Sequence, residues 1–242
     1  MVFTGLVLSL AATLLYRYTV WRGANVLAAL LATLLAAGAS SVHYLARPHI
    51  FSILGLTATV WILERHRRHP SHAVWWLVPL MALWTNLHGG FLAGIACVAL
   101  AAISSARRYG LLTAACSLAT LANPYGWRLH QHLAQYLTSD WIRQVVDEFQ
   151  SPRFRSESML QFEILLFAGL ALVPILFRQK QFADLLMVIF WAHAALISAR
   201  HVPLYVIVAA PVVAYGGQPM VVPIEHSLQP PFAPRDPPRL PK

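Results

Sequence analysis

Arg47-Pro48-His49 and Arg200-His201-Val202-Pro203 each set an arginine beside a histidine and near a proline, between two apolar segments. A guanidinium is the side chain best shaped to hold a phosphate through paired hydrogen bonds. An arginine near hydrocarbon is costly unless it is paired or wetted. The chemistry these pairs point to is the holding of a lipid phosphate or pyrophosphate. The alternative is that they snorkel and anchor helix ends. Asn86-Leu87-His88-Gly89-Gly90 adds two polar side chains next to glycines that let a backbone or ligand approach closely. Gly90 and Gly94 also have the spacing of a helix-packing pair. Asp147 and Glu148 are the only adjacent carboxylates. One of them could act as a general base for an acceptor hydroxyl or bind a divalent cation. The alternative is surface ion pairing with nearby arginines. The candidate site is therefore Asp147 and Glu148 as catalytic carboxylates, with Arg47, His49, Asn86, His88, Arg200 and His201 as substrate contacts.

Other chemistries lack their residues. There is no nucleotide-binding loop, no Ser-His-Asp signature, no haem motif and no HExxH or cysteine-pair spacing. His43, His49, His88, His130, His132 and His201 fall on one predicted side, but His130 and His132 are two apart on a helix and diverge. No metal site and no resident cofactor are expected, a divalent cation at the carboxylates aside. Cys97 and Cys116 sit in apolar runs and read as buried structural thiols. His193, inside an apolar segment, is expected to be hydrogen-bonded within the bundle.

Composition says what must position these residues. Of 242 residues, 58% are hydrophobic and 11% charged, against about 25% charged in soluble domains. The expected fold class is an all-α polytopic integral membrane protein. The net charge of +9 does not point to nucleic acid, because the basic residues are scattered through short loops. Nine apolar segments can be drawn, at about 2–16, 24–41, 50–63, 73–86, 89–106, 111–123, 159–177, 182–199 and 203–216. Several are short for a span, and the ninth is read as re-entrant or tilted. Nine crossings with the N-terminus outside put Arg17, Arg22, Arg65, Arg67, Arg68, Arg107, Arg108, Arg178, Lys180, Arg235, Arg239 and Lys242 inside. The short outer loops then keep only Arg47 and Arg200. Cytoplasmic loops carry the Lys/Arg excess, so the expected location is a plasma (inner) membrane with a cytoplasmic tail. The same count puts these four polar motifs and a fifth, Asn123-Pro124-Tyr125-Gly126-Trp127, on the outer face.

The connection at about 124–158 carries Leu129, Leu133, Tyr136, Leu137, Trp141 and Val145 at amphipathic spacing, which predicts one interfacial helix over Trp127–Val146. Residues 1–216 form the bundle. The tail at 217–242 is Pro-rich and aperiodic and is expected to be disordered. A transporter would need ionisable residues within the spans and an internal repeat, whereas here the polar residues gather at one face and no repeat is seen. A membrane scaffold recruiting a partner through the tail or the outer loop stays open as a third class.

Trp84-Thr85-Asn86-Leu87-His88-Gly89-Gly90-Phe91, Asn123-Pro124-Tyr125-Gly126 and Glu148-Phe149-Gln150-Ser151-Pro152 resemble the later part of bacterial multi-spanning proteins grouped with the GT-C-type membrane glycosyltransferases, the mannosyltransferase and aminoarabinose-transferase-like clan. The resemblance runs over about residues 42–205. It implies a polyprenyl-phosphate-linked sugar donor and a site at the outer membrane–water boundary. In that clan a catalytic acid lies in the first long outer loop. Here the first outer loop, about 42–49, holds no Asp or Glu. The expectation is an N-terminally truncated piece or a non-catalytic relative. The resemblance also makes Arg47 and Arg200 donor-phosphate contacts and Asp147 or Glu148 a substitute base.

Overall fold

The computed structural model describes residues 2–156 and 159–216, and every regular element within them is helical. The helices are α1 (Val2–Trp21), α2 (Val26–Ser40), α3 (Ile50–Arg68), α4 (Leu77–Thr85), α5 (Phe91–Ser104), α6 (Ala106–Ala119), α7 (Trp127–Thr138), α8 (Asp140–Val145), α9 (Met159–Arg178), α10 (Phe182–Ile197) and α11 (Val202–Tyr215). Each of the nine apolar segments becomes a helix. Among the described residues, three helices are long and apolar enough to cross a membrane: Val2–Trp21, Val26–His43 and Met159–Arg178. His72–Thr85, Phe91–Ser104, Phe182–Ile197 and Ala199–Tyr215 are apolar but shorter. At about 1.5 Å per residue, 14 residues reach roughly 21 Å, less than a hydrocarbon core of about 30 Å. Leu27, Leu34, Phe167 and Phe177 stand more than half exposed. Apolar helices with such outward faces are consistent with a membrane protein. The expected tail, its three basic residues and Glu157 lie outside the described residues.

α11 is the core helix. Its sequence is apolar on all sides, which suits a helix buried all round. Val202, Pro203 and every residue from Tyr205 to Val212 are buried. It packs on α1, α2, α3, α9 and α10. The Tyr205 hydroxyl donates to the Leu165 carbonyl of α9 at 3.0 Å, satisfying a polar group that burial would otherwise penalise. Gly169, one turn on, leaves the room this hydroxyl needs. Gly216, at φ 67°, stops α11 in the left-handed conformation typical of a helix end. The ninth segment is thus one continuous buried helix.

Several boundaries move. α3 runs on to Arg68, so Arg65, Arg67 and Arg68 lie in its last turn, where the helix dipole favours cations. A single residue, Ser105, separates α5 from α6, so Arg107 and Arg108 occupy the first turn of α6, not a loop. The fourth segment opens with a 3₁₀ turn, His72–Trp76. The one predicted amphipathic helix is two. The chain breaks at Ser139, whose hydroxyl accepts the Ile142 N–H at 3.4 Å and starts α8. His193 corrects another expectation. It stands on the exposed face of α10, because Val188, Ala192 and Ala195 take the buried stripe.

Polar side chains collect at the two ends of the bundle. At one end, Arg22 from the α1–α2 turn, Glu64, Arg67 and Arg68 from α3 and Asp184 from α10 form a buried ionic knot. Arg67 and Arg68 lie within 3.0 Å of Glu64, and Arg67 lies 2.9 Å from Asp184. Arg22 also pairs with Asp184, and it donates to the Tyr18 hydroxyl at 3.3 Å. Arg68 lies over the Trp21 ring at 5.1 Å and the Tyr215 ring at 5.9 Å. The knot therefore ties α1, α3, α10 and α11 together. The opposite end holds a cavity.

Candidate functional site

The cavity has a volume of about 520 Å³. Five stretches far apart in sequence line it: His43–Ile53, His88–Ala96, Leu133–Leu137, Glu148, and Phe190–Leu204. Its depth is apolar, with Ile53, Leu92, Ala96 and Leu204. Its rim is polar, with Arg47, His49, His88, Glu148, Arg200 and His201.

The long connection reaches the rim because it is pinned to the α10–α11 turn. Ser198 Oγ donates to the Glu148 carbonyl at 2.8 Å, and the Ala199 N–H donates to the Gln150 carbonyl at 2.9 Å. These bonds bring Glu148 and Arg200 to one rim. Arg200 lies over the Phe149 ring at 4.5 Å, and Phe149 meets Tyr136 of α7 edge-on at 5.6 Å. Arg47 lies 3.4 Å from Glu148, with both side chains about half exposed. Such an open pair is weak, so a ligand can compete for either partner.

Hydrogen-bond partners assign the ring protons. The His49 Nε2–H donates to the His43 carbonyl. His201 Nδ1 donates to the Ala194 carbonyl at 3.1 Å, leaving Nε2 as the acceptor. His88 is the reverse case, since its Nδ1 receives two donors: Ser52 Oγ–H at 2.7 Å and the Gly90 N–H at 3.1 Å. Burial pushes the His88 pKa down to about 4, helped by His49 and Arg200 nearby and opposed by Glu148. His88 is therefore neutral at pH 7.

Two expected site residues lie elsewhere. Asn86 donates to the Ala82 and Ala122 carbonyls, at 2.7 and 2.8 Å, and so clamps the ends of α4 and α6 together. Asp147 pairs with Arg153 at 3.2 Å, and both are more than four-fifths exposed. The Asn123-Pro124-Tyr125-Gly126 motif builds a turn. Asn123 Oδ1 accepts the Tyr125 N–H at 2.8 Å, Nδ2 donates to Thr120 and Gly126 carbonyls, and Gly126 takes φ 52°. That turn delivers α7, whose Leu133 and Tyr136 line the cavity. Among the described residues, no group of three or more His, Cys, Asp or Glu is placed to hold a metal ion. Cys97 and Cys116 are buried and free.

Sequence reasoning missed Ser52, Trp84 and the ionic knot. Serine and tryptophan inside apolar segments carry no signal of their own. The knot did leave one: Glu64 is the only carboxylate in the first 139 residues, and Asp184 falls in an apolar segment. Ionisable residues in such positions need partners. Comparison of the chain with protein-family models, curated proteins and solved structures finds no match.

Proposed function

We propose that this protein crosses a plasma membrane with its nine apolar helices and holds a polyprenyl-phosphate-linked sugar in the cavity, on the outer face, as a GT-C-like glycosyltransferase. The N-terminus is outside and the tail cytoplasmic in this reading. One observation carries it. Arg47, His49, His88, Arg200, His201 and Glu148, from four separate stretches, rim a single cavity with an apolar depth. Ligand cavities run from about 300 to 1,000 Å³, and this one combines an apolar lining for the first part of a prenyl chain with donors for a phosphate.

In the proposed reaction Glu148 takes the proton of an acceptor hydroxyl. The freed oxygen attacks the anomeric carbon of the sugar. The bond from that carbon to the phosphate oxygen breaks, and the electron pair leaves with the phosphate. Arg200 and Arg47 stabilise the leaving phosphate. Asp147 has no part, because it lies outside the cavity and pairs with Arg153.

The test is binding of a polyprenyl phosphate to protein in lipid nanodiscs. A hydrogen bond to a charged group is worth about 1.5–3 kcal/mol, so Arg200→Ala should weaken binding at least about tenfold. Arg47→Ala should weaken it less, since Arg47 is already partnered by Glu148. Glu148→Gln should retain binding and lose transfer. Unchanged affinity in both arginine variants removes the phosphate reading. For the orientation, Gln150→Cys should react with a membrane-impermeant thiol reagent from outside the cell only. Labelling from the cytoplasmic side reverses the topology.

A further inference from the structure

Trp84, Ser52 and His88 form a chain of hydrogen bonds that ends at the cavity. The Trp84 indole N–H, a donor only, reaches Ser52 Oγ at 3.0 Å. It occupies a lone pair of that hydroxyl, whose own proton is then directed at His88 Nδ1, 2.7 Å away. The Gly90 N–H meets the same nitrogen at 3.1 Å. A ring nitrogen that receives two donors carries no proton, so the proton of the neutral imidazole sits on Nε2.

The chain is built tightly. A Cβ on Gly55 of α3 would come within 2.9 Å of the Trp84 ring, and one on Gly94 of α5 within 2.7 Å. A Cβ on Gly90 would land on the Ser52 side chain and within 2.8 Å of His88 Nδ1. Three glycines, one on α3 and two at the start of α5, therefore clear space for the same three side chains. Packing alone would explain Gly55 and Gly94 around an indole. It does not explain Gly90, whose missing side chain opens the path between Ser52 and His88.

We infer that Trp84 and Ser52 are positioning residues that lock His88 in its Nε2–H tautomer, so that it offers the cavity a fixed hydrogen-bond donor and not a base. Among the described residues Nε2 has no protein partner, and His88 lines the cavity. His49 and His201 are oriented differently. Each has one ring N–H held by a backbone carbonyl. On the phosphate-holding reading, on which this last step rests, the His88 donor meets a phosphate oxygen alongside Arg200.

The experiment is ¹⁵N NMR of histidine-labelled protein in detergent micelles at pH 7, with His88 assigned by the loss of its signals in His88→Gln. The expected wild-type result is a protonated Nε2 and a bare Nδ1. A protonated Nδ1, or an averaged mixture of tautomers, overturns the inference. Ser52→Ala should turn the single tautomer into a mixture, and Trp84→Phe should do so more weakly, while the thermal melt reports that the fold persists. A Ser52→Ala protein that keeps one tautomer shows that Ser52 does not position the ring. The wild-type spectrum decides the tautomer by itself if either variant does not fold. Added polyprenyl phosphate should shift the Nε2 resonance. An Nε2–H tautomer with no response to that lipid keeps the locked donor and removes the phosphate reading.

Discussion

The two ends of the bundle use the same residue types in opposite ways. At the ionic end the carboxylates of Glu64 and Asp184 are 1% and 5% exposed, and Arg22, Arg67 and Arg68 no more than 12%. At the cavity end Arg47 and Glu148 are 62% and 45% exposed. In the knot every charge is committed to a partner on another turn or helix. At the cavity a charged pair, a stacked guanidinium and three oriented imidazoles stand around open space. A closed set of buried charges holds helices in register, and an open set is able to receive a ligand. Burial, more than residue identity, separates the two roles.

That contrast breaks most readily at Asp184. Removing one partner of a buried ion pair strands the others, at a cost of about 3–5 kcal/mol. Asp184→Ala should therefore lower the thermal midpoint in detergent strongly, with Arg22 and Arg67 both left short of a partner. Glu148→Ala, an equivalent deletion at the open end, should cost no more than about 1 kcal/mol. Equal shifts for the two variants would erase the distinction between the ends. Next in size is the response of Arg200→Ala, expected in ligand affinity and hardly at all in stability. A pH slope is expected as well. In the unfolded chain His88 takes up its proton near pH ~6.5, but in the folded protein only at about 4. The unfolded state thus binds more protons between those values. Stability is full above about 6.5 and falls as pH drops through that window. His88→Gln should flatten that part of a stability-against-pH curve. A slope unchanged by His88→Gln would place its origin in another group.

The helices were readable because each rests on a local apolar run: every predicted segment between 2 and 216 contains one. Their ends were less readable. At the end of α3, Arg67 and Arg68 pair with Glu64 and Arg67 also with Asp184, which is 117 residues away along the chain. Periodicity alone would carry the long connection through Ser139, whereas the capping hydroxyl breaks it there. At the site, Arg47, His49, His88, Glu148, Arg200 and His201 declared themselves as costly polar groups between apolar segments. Asn86 and Asp147 looked the same in sequence. One turns to the carbonyls of Ala82 on α4 and Ala122 just past α6, and the other to Arg153 in solvent.

The sequence by itself determined the all-helical class, the apolar segments and most of the polar residues of the rim, because hydrophobic runs and charges that need partners are written locally. Only the tertiary structure decided which polar groups share a cavity, which nitrogen of His88 holds its proton, and that the five charges of the knot close on one another. Those outcomes depend on distances between residues remote in the chain, and on how far water is excluded around them once the helices have packed.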